Sequence, residues 1–196
     1  ARGYVRNKKA DEKLIMEAVE LAKKADIVLL CVGLDEISES EGLDRTHMRM
    51  PQAQVALIEK VAAVNKNVVV VMSAGSSVEI PWADQVAAIV HGYLGGQAGA
   101  SAMLDVLTGA VCPSGKLNET YAYTLEDVAS TSYYPAIERS SEYREALYMG
   151  YRYFDTVEKK VRFPFGYGLS YTTFTYRDLS VDADGVTFTI TNIGEC

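Results

Sequence analysis

The stretch Gly33-Leu34-Asp35-Glu36-Ile37-Ser38-Glu39-Ser40-Glu41-Gly42-Leu43-Asp44-Arg45 holds the side chains of this sequence best suited to proton chemistry. Carboxyl groups gathered in one place acquire separated pKa values, because like charges and partial burial oppose ionisation. One carboxyl of such a cluster can hold a proton, give it to a leaving group, and take one back from water. Arg45, directly after Asp44, can pair with a loop carboxylate and hold the loop, or point at a ligand hydroxyl. The plainer alternative is an acidic, solvated surface loop.

Other strings carry weaker chemistry. Gly92-Tyr93-Leu94-Gly95-Gly96-Gln97-Ala98-Gly99 lies between an apolar run and a helical pattern. A phosphate could sit there on a helix N-terminus, but neither the Walker lysine nor the dinucleotide-fold spacing is present. A tight turn that brings the helix close to the sheet is the alternative. Ser73-Ala74-Gly75-Ser76-Ser77 could offer a nucleophile only with a histidine base in reach. His47 and His91 are the sole candidates, and the Gly-x-Ser-x-Gly elbow is missing. Trp82, after Pro81, reads as a packing residue before a sugar platform. No metal-ligand spacing is present, and no cofactor is called for.

The elements that would position these groups follow from periodicity. Asp11 caps a helix running to about residue 24, with Leu14, Ala18, Leu21 and Ala22 on one face and Ile15 and Val19 beside them. Ile27–Val32 is a buried strand, and the acidic loop leaves its end. Pro51 opens a second helix with Val55, Ile58, Val61 and Ala62 as its apolar stripe. Val68–Met72 and Val86–Val90 are further buried strands, and Ala98–Leu107 is a helix stopped by Gly109. Continuously apolar strands alternating with helices predict an α/β fold, a mostly parallel sheet with helices on both faces. In such sheets ligand sites lie at the carboxyl ends of the strands, where the acidic loop sits. Residues 120–143 read as a long irregular connection rich in tyrosine. Alternation at Thr172, Phe174 and Tyr176, then at Val186, Phe188 and Ile190, with turn residues at 182–185, predicts an antiparallel hairpin, the opening strands of a β-sandwich.

Composition narrows the partners. The 196 residues are 48% hydrophobic, with net charge −7 and pI near 4.9. An acidic chain with scattered Lys and Arg argues against a nucleic-acid partner. The apolar runs fall well short of the ~20 residues that a membrane helix needs, so no membrane partner is expected. Cys31, Cys112 and Cys196 make no disulfide framework, and Cys31, inside an apolar run, is expected to be a buried thiol. Residues 1–6 are too polar for a signal peptide, and the expected compartment is the cytoplasm.

Several strings in order resemble one family: Glu39-Ser40-Glu41-Gly42-Leu43-Asp44-Arg45, Ile80-Pro81-Trp82, Tyr93-Leu94-Gly95-Gly96-Gln97, Pro113-Ser114-Gly115-Lys116-Leu117, Gly150-Tyr151-Arg152-Tyr153-Phe154, and Phe163-Pro164-Phe165-Gly166-Tyr167-Gly168-Leu169-Ser170-Tyr171. From about Gly3 onward the chain resembles the C-terminal part of glycoside hydrolase family 3 enzymes of the bacterial β-glucosidase type. The resemblance implies an α/β sandwich domain over 1–119, without its first strands. Residues 120–171 would form a connection with the last strand of that domain, and 172–196 the truncated start of a fibronectin type III-like domain. The family's (β/α)8 barrel would be the partner domain, and a β-linked glucoside or oligosaccharide the substrate. By the same resemblance the nucleophile is an aspartate on the absent barrel. Glu41 is the general acid/base, with Glu39 as its rival, and Asp44 and Arg45 bind substrate or support the loop. A general acid on a mobile loop could close over a sugar held by the barrel. The chain departs from the family pattern at Cys112, where many members have Asn, at Ala122, often Pro, and at Ala146, commonly Gly.

The implied activity is retaining hydrolysis of terminal, non-reducing β-D-glucosyl residues, with the chain inactive alone. Two other readings stand beside it: a non-catalytic carbohydrate-binding or interdomain scaffold module, and a nucleotide-binding α/β domain.

Overall fold

Asp11 sets the first helix. Its Oδ1 accepts from the backbone N–H of Lys13 at 3.0 Å and of Leu14 at 3.3 Å, satisfying donors that a helix start leaves without partners. Helix α1 then runs Glu12–Ala22. In the computed structural model, which describes residues 1–6, 8–136 and 139–195, the further elements are β1 (Val28–Gly33), α2 (Gln52–Ala62), β2 (Val68–Ser73), β3 (Ala88–His91), α3 (Gly99–Leu107), α4 (Tyr151–Thr156), β4 (Phe174–Val181) and β5 (Val186–Asn192). Cys196 lies outside the described residues.

Strands β1, β2 and β3 form a parallel sheet in that order. The register pairs Val28 with Val68 through Gly33 with Ser73, and Val69 with Ala88 through Met72 with His91. The central strand β2 turns Val68, Val70 and Met72 into the core, each at most 1% exposed. Leu30 and Val32 of β1 join them under Ile15 and Val19 of α1 and Leu57, Ile58 and Val61 of α2. Each such side chain removed from water contributes about 1.5–3 kcal/mol, which makes this layer the centre of stability. Helix α3 borders the opposite face, where Met103, Leu104 and Leu107 share a groove with Leu29, Cys31 and Val71. A Cβ at Gly92 would lie 2.8 Å from the Met103 sulfur, so the glycine there serves close packing of helix on sheet.

Several expectations shift in detail. The buried stripe of α1 is Ile15, Val19 and Ala22, while Leu21 is half exposed. Ile27 stays outside β1 and is 64% exposed. Cys31, expected to be buried, is exposed. A run of apolar residues does not say which face of a strand is covered: Leu30 and Val32 point under the helices, and Cys31 and Leu29 alternate onto the open face. Trp82 is fully buried, as a packing residue should be.

Beyond α3 the described chain is mostly irregular, with short 3-10 turns at Leu125–Asp127 and Ala129–Ser132. Tyr121 bridges antiparallel to Phe163 and is 1% exposed, which ties this segment to the core. Ala146 has φ 47°, a left-handed conformation that suits glycine and accounts for the glycine expected there. The β4–β5 hairpin is antiparallel as expected, with an irregularity between Arg177 and Ser180. The Asp182 carboxylate accepts from the N–H groups of Asp184 and Gly185 to close its turn.

One buried polar side chain fixes the end of β1. Gln54 of α2, 3% exposed, donates from Nε2 to Gly33 O and accepts at Oε1 from Gly33 N, both at 2.8 Å. Leucine at this position keeps the volume but strands both peptide groups. Gln54→Leu is expected to lower the unfolding free energy by about 1–3 kcal/mol, measured by denaturant or thermal unfolding against the parent protein.

Candidate functional site

Parallel pairing brings the carboxyl ends of β1 and β2 side by side, with Gly33 opposite Ser73. The approach is close: a Cβ at Gly33 would fall 1.9 Å from Ser73 O, so only glycine fits. Leu34 N–H then donates to Ser73 O at 2.9 Å, and the acidic loop departs alongside the segment that follows β2.

Successive bonds shape the loop and fasten it to that segment and to its other neighbours. Asp35, 8% exposed, accepts at Oδ1 from the backbone N–H of Ser38 at 3.0 Å and from its hydroxyl at 2.9 Å. Both Glu39 carboxylate oxygens accept from Gly75 N–H, at 2.8 and 3.0 Å. Arg45 Nη1 donates to Ser76 Oγ at 2.8 Å. Glu79 N–H donates to Met48 O at 2.8 Å. From the other side, Tyr134 OH donates to Asp44 Oδ1 at 2.6 Å, and that carboxylate holds the Tyr134 phenol above its usual pKa. Glu36 pairs with Arg6.

Between the Glu39 and Asp44 anchors, Leu43 N–H donates to Ser40 O at 3.3 Å. This turn puts Glu41 and Gly42 at its two central positions. Gly42 has φ +79°, the value that the third position of a type II turn requires of glycine. Glu41 is exposed, and among the described residues its carboxylate has no hydrogen-bond or ion-pair partner.

Beneath the loop lies a buried polar chain. The Ala74–Gly75 peptide that gives its N–H to Glu39 accepts at Ala74 O from His91 Nε2, 3.1 Å away. Since a carbonyl only accepts, Nε2 carries the proton, and Nδ1 accepts from Tyr121 OH at 2.8 Å. The His91 ring stacks on Tyr93, with centroids 3.8 Å apart. The bulky Tyr93 takes φ 48° at this point. Burial pushes the His91 pKa down, against the opposing pull of Ala74 O and of the Glu119 and Glu39 carboxylates. Burial likewise pushes the Tyr121 phenol up, with Tyr93 and Glu119 adding to it.

The structure thus gathers Glu39, Glu41, Asp44 and Arg45 in and beside one turn and separates their environments. Arg45 holds the loop through Ser76 rather than through a carboxylate, and its Nη2 is enclosed without a partner among the described residues. His91 uses both ring nitrogens on Ala74 and Tyr121, so it serves none of the serines at 73–77 as a base. Sequence reasoning missed Tyr121, Gly75 and Tyr134, and considered His91 only as a base for the serines. His91 is a lone histidine, Gly75 sits in a string weighed for its serines, and the two tyrosines fall in a segment without periodicity. Among the described residues no group of three or more His, Cys, Asp and Glu could hold a metal ion, and no helix is long and apolar enough to cross a membrane.

Fold and site together define an α/β domain that presents the exposed Glu41 carboxylate, without a partner among the described residues, at the carboxyl ends of parallel strands. Residues 3–171 match the glycosyl hydrolase family 3 C-terminal domain. The chain is 48% identical over 187 residues to the thermostable beta-glucosidase B of Acetivibrio thermocellus, covering 95% of this chain and 25% of that protein. It is 46% identical over 192 residues to an exo-alpha-(1->6)-L-arabinopyranosidase of Bifidobacterium longum, with the same coverages of 95% and 25%. The crystal structure of a Bifidobacterium adolescentis GH3 beta-glucosidase superposes with TM-score 0.95 at 45% identity, over 100% of this chain and 30% of that one. A Kluyveromyces marxianus beta-glucosidase in complex with glucose gives TM-score 0.89 at 36% identity, over 96% and 23%. The chain belongs to glycoside hydrolase family 3. It spans about a quarter of the length of the curated relatives it matches.

The depressed His91 pKa has a stability consequence. Below its ordinary pKa of ~6.5 the unfolded chain binds a proton that the folded imidazole resists, so stability is complete above that pH and falls as pH drops beneath it. His91→Phe is expected to flatten the wild-type decline between about pH 6.5 and pH 5, measured as the unfolding midpoint of both proteins across that range.

Proposed function

We propose that this chain supplies the general acid/base of a retaining, exo-acting β-glycosidase, with a terminal, non-reducing β-D-glucosyl residue as the unit removed. The observation that carries this reading is the contrast between a turn and its two anchors. Glu39 is committed to Gly75 and Asp44 to Tyr134, while Glu41 stands exposed between them with no partner among the described residues. A carboxyl that gives and takes protons at a substrate needs an oxygen within its reach, and Glu41 is the carboxyl of residues 39–44 whose oxygens are not engaged by other described residues. Family membership and the beta-glucosidases among its relatives support the reaction class.

In the proposed cycle Glu41 protonates the glycosidic oxygen as the bond from C1 to that oxygen breaks and a carboxylate bonds to C1. Glu41, now ionised, then takes a proton from water as the water oxygen attacks C1 and expels the carboxylate. Retention needs the two carboxyl groups about 5–5.5 Å apart. We assign the nucleophile to an aspartate on a (β/α)8 barrel domain of the complete enzyme, and no cofactor is required. Asp44 and Arg45 act as loop supports, through Tyr134 and Ser76. A relative 46% identical to this chain is named an arabinopyranosidase, which supports assigning the choice of sugar to the barrel. Residues 1–119 make up the α/β domain in this reading, 120–171 its connection and closing segment, and 172–196 the opening of a fibronectin type III-like domain. The free thiols Cys31 and Cys112 fit a reducing compartment, and we place the enzyme in the cytoplasm.

The test is Glu41→Ala in the complete enzyme. Activity on an alkyl β-glucoside, whose leaving group needs a proton, is expected to fall about 10²–10⁴-fold. On an activated aryl β-glucoside, azide is expected to restore turnover and to yield the β-glycosyl azide. Wild-type rates without azide would instead make Glu41 a bystander and favour the scaffold reading.

A further inference from the structure

The peptide between Ala74 and Gly75 is bonded on both sides. Its N–H donates to both oxygens of Glu39, and its C=O accepts from His91, whose other nitrogen is held by Tyr121. Ala74 is fully buried and Tyr121 is 1% exposed, so the inner end of this chain of bonds belongs to the core. The outer end lies two residues from Glu41. Glycine at 75 leaves the room: a Cβ there would sit 3.0 Å from Glu39 Oε1 and 3.3 Å from a Leu94 methyl.

We infer that Glu39 is a positioning residue for Glu41, fixing the start of its turn to the Ala74–Gly75 peptide that His91 and Tyr121 hold in place. This rests on the acid/base role proposed for Glu41. Glu39 is too committed to be the acid itself. Both its oxygens lie on one amide, and no ion pair with a cation is found for it among the described residues. A carboxylate on a backbone N–H makes a strong, directional bond, and proton transfer to a leaving oxygen is sensitive to displacements of an ångström. Asp35, Arg45 and Tyr134 fasten other points of the loop, but the Glu39 bond is the last one before the turn that carries Glu41.

The experiment compares Glu39→Ala, Glu39→Asp and Glu39→Gln in the complete enzyme, each with Glu41 intact and with Glu41→Ala. Aspartate keeps the charge but is one methylene too short to reach Gly75, whereas glutamine loses the charge and keeps an oxygen in reach. With Glu41 intact, the Ala and Asp variants are expected to lose about ten- to a hundredfold in kcat on an alkyl β-glucoside, with KM little changed. Glutamine, which keeps one acceptor within reach but loses the charge assistance, is expected to lose less than either. In the Glu41→Ala background, none of the three should lower the rate on an activated aryl β-glucoside any further. Wild-type behaviour of the Asp variant together with loss in the Gln variant would make charge, not the bond, the cause and overturn the inference. So would a loss in the Ala variant that persists without Glu41, or unchanged kcat in all three. If Glu39→Ala fails to fold, the Asp and Gln pair decides alone. The Glu41→Ala control separates the two claims: full activity there removes the acid/base reading itself. Loss there with unchanged Glu39 variants removes only the positioning role.

Discussion

Everything at this site depends on β1 and β2 ending in register. Parallel pairing places Gly33 opposite Ser73, and the loops leaving the two strands must then travel together. Polar groups of the first loop meet the backbone and side chains of the second in sequence order: Glu39 on Gly75, Arg45 on Ser76, the Met48 carbonyl on Glu79. A slip of one residue in the pairing would exchange the faces of every strand side chain and move each of these partners out of reach. Gln54 guards that register from the helix layer by satisfying both polar groups of Gly33.

The loop divides its carboxylates by task. Asp35 closes a turn, Glu36 meets Arg6, Glu39 takes a backbone amide and Asp44 takes a phenol. Proteins separate acid from base by giving like groups unlike surroundings, and here the separation is geometric. A site read only as a dense acidic patch would miss it. Side-chain bonds from Glu39 and Asp44 hold the loop on either side of the short turn at residues 40–43.

The layers of the fold were legible because burial periodicity is a strong local signal. The stripe Ile58, Val61, Ala62 and the valine run of β2 could hardly be anything else. Which face of β1 is covered was not legible: Leu30 and Cys31 look alike in a run, and only the seating of α1 and α2 tells them apart. At the candidate site, the placement of the acidic loop at the end of a buried strand was readable from the sequence. The division of roles within it was not. Tyr134 reaches Asp44 across 90 positions of sequence, and His91 reaches Ala74 across 17. Such distances carry no periodic trace. Of the roles open to Arg45, its bond to the Ser76 hydroxyl on the neighbouring loop was not among those the sequence suggested.

Gly75 illustrates what this arrangement leaves for comparison between sequences. The partner of Glu39 is a main-chain N–H, which every residue except proline possesses, so no particular side chain announces it. What the contact does favour is space, since a Cβ at 75 would sit 3.0 Å from the carboxylate oxygen, which would have to give way slightly. The record of this interaction in a gene is therefore a residue with nothing to recognise. Variation at 75 would register first as a change in how the neighbouring loop sits, in a position that has no side chain to lose.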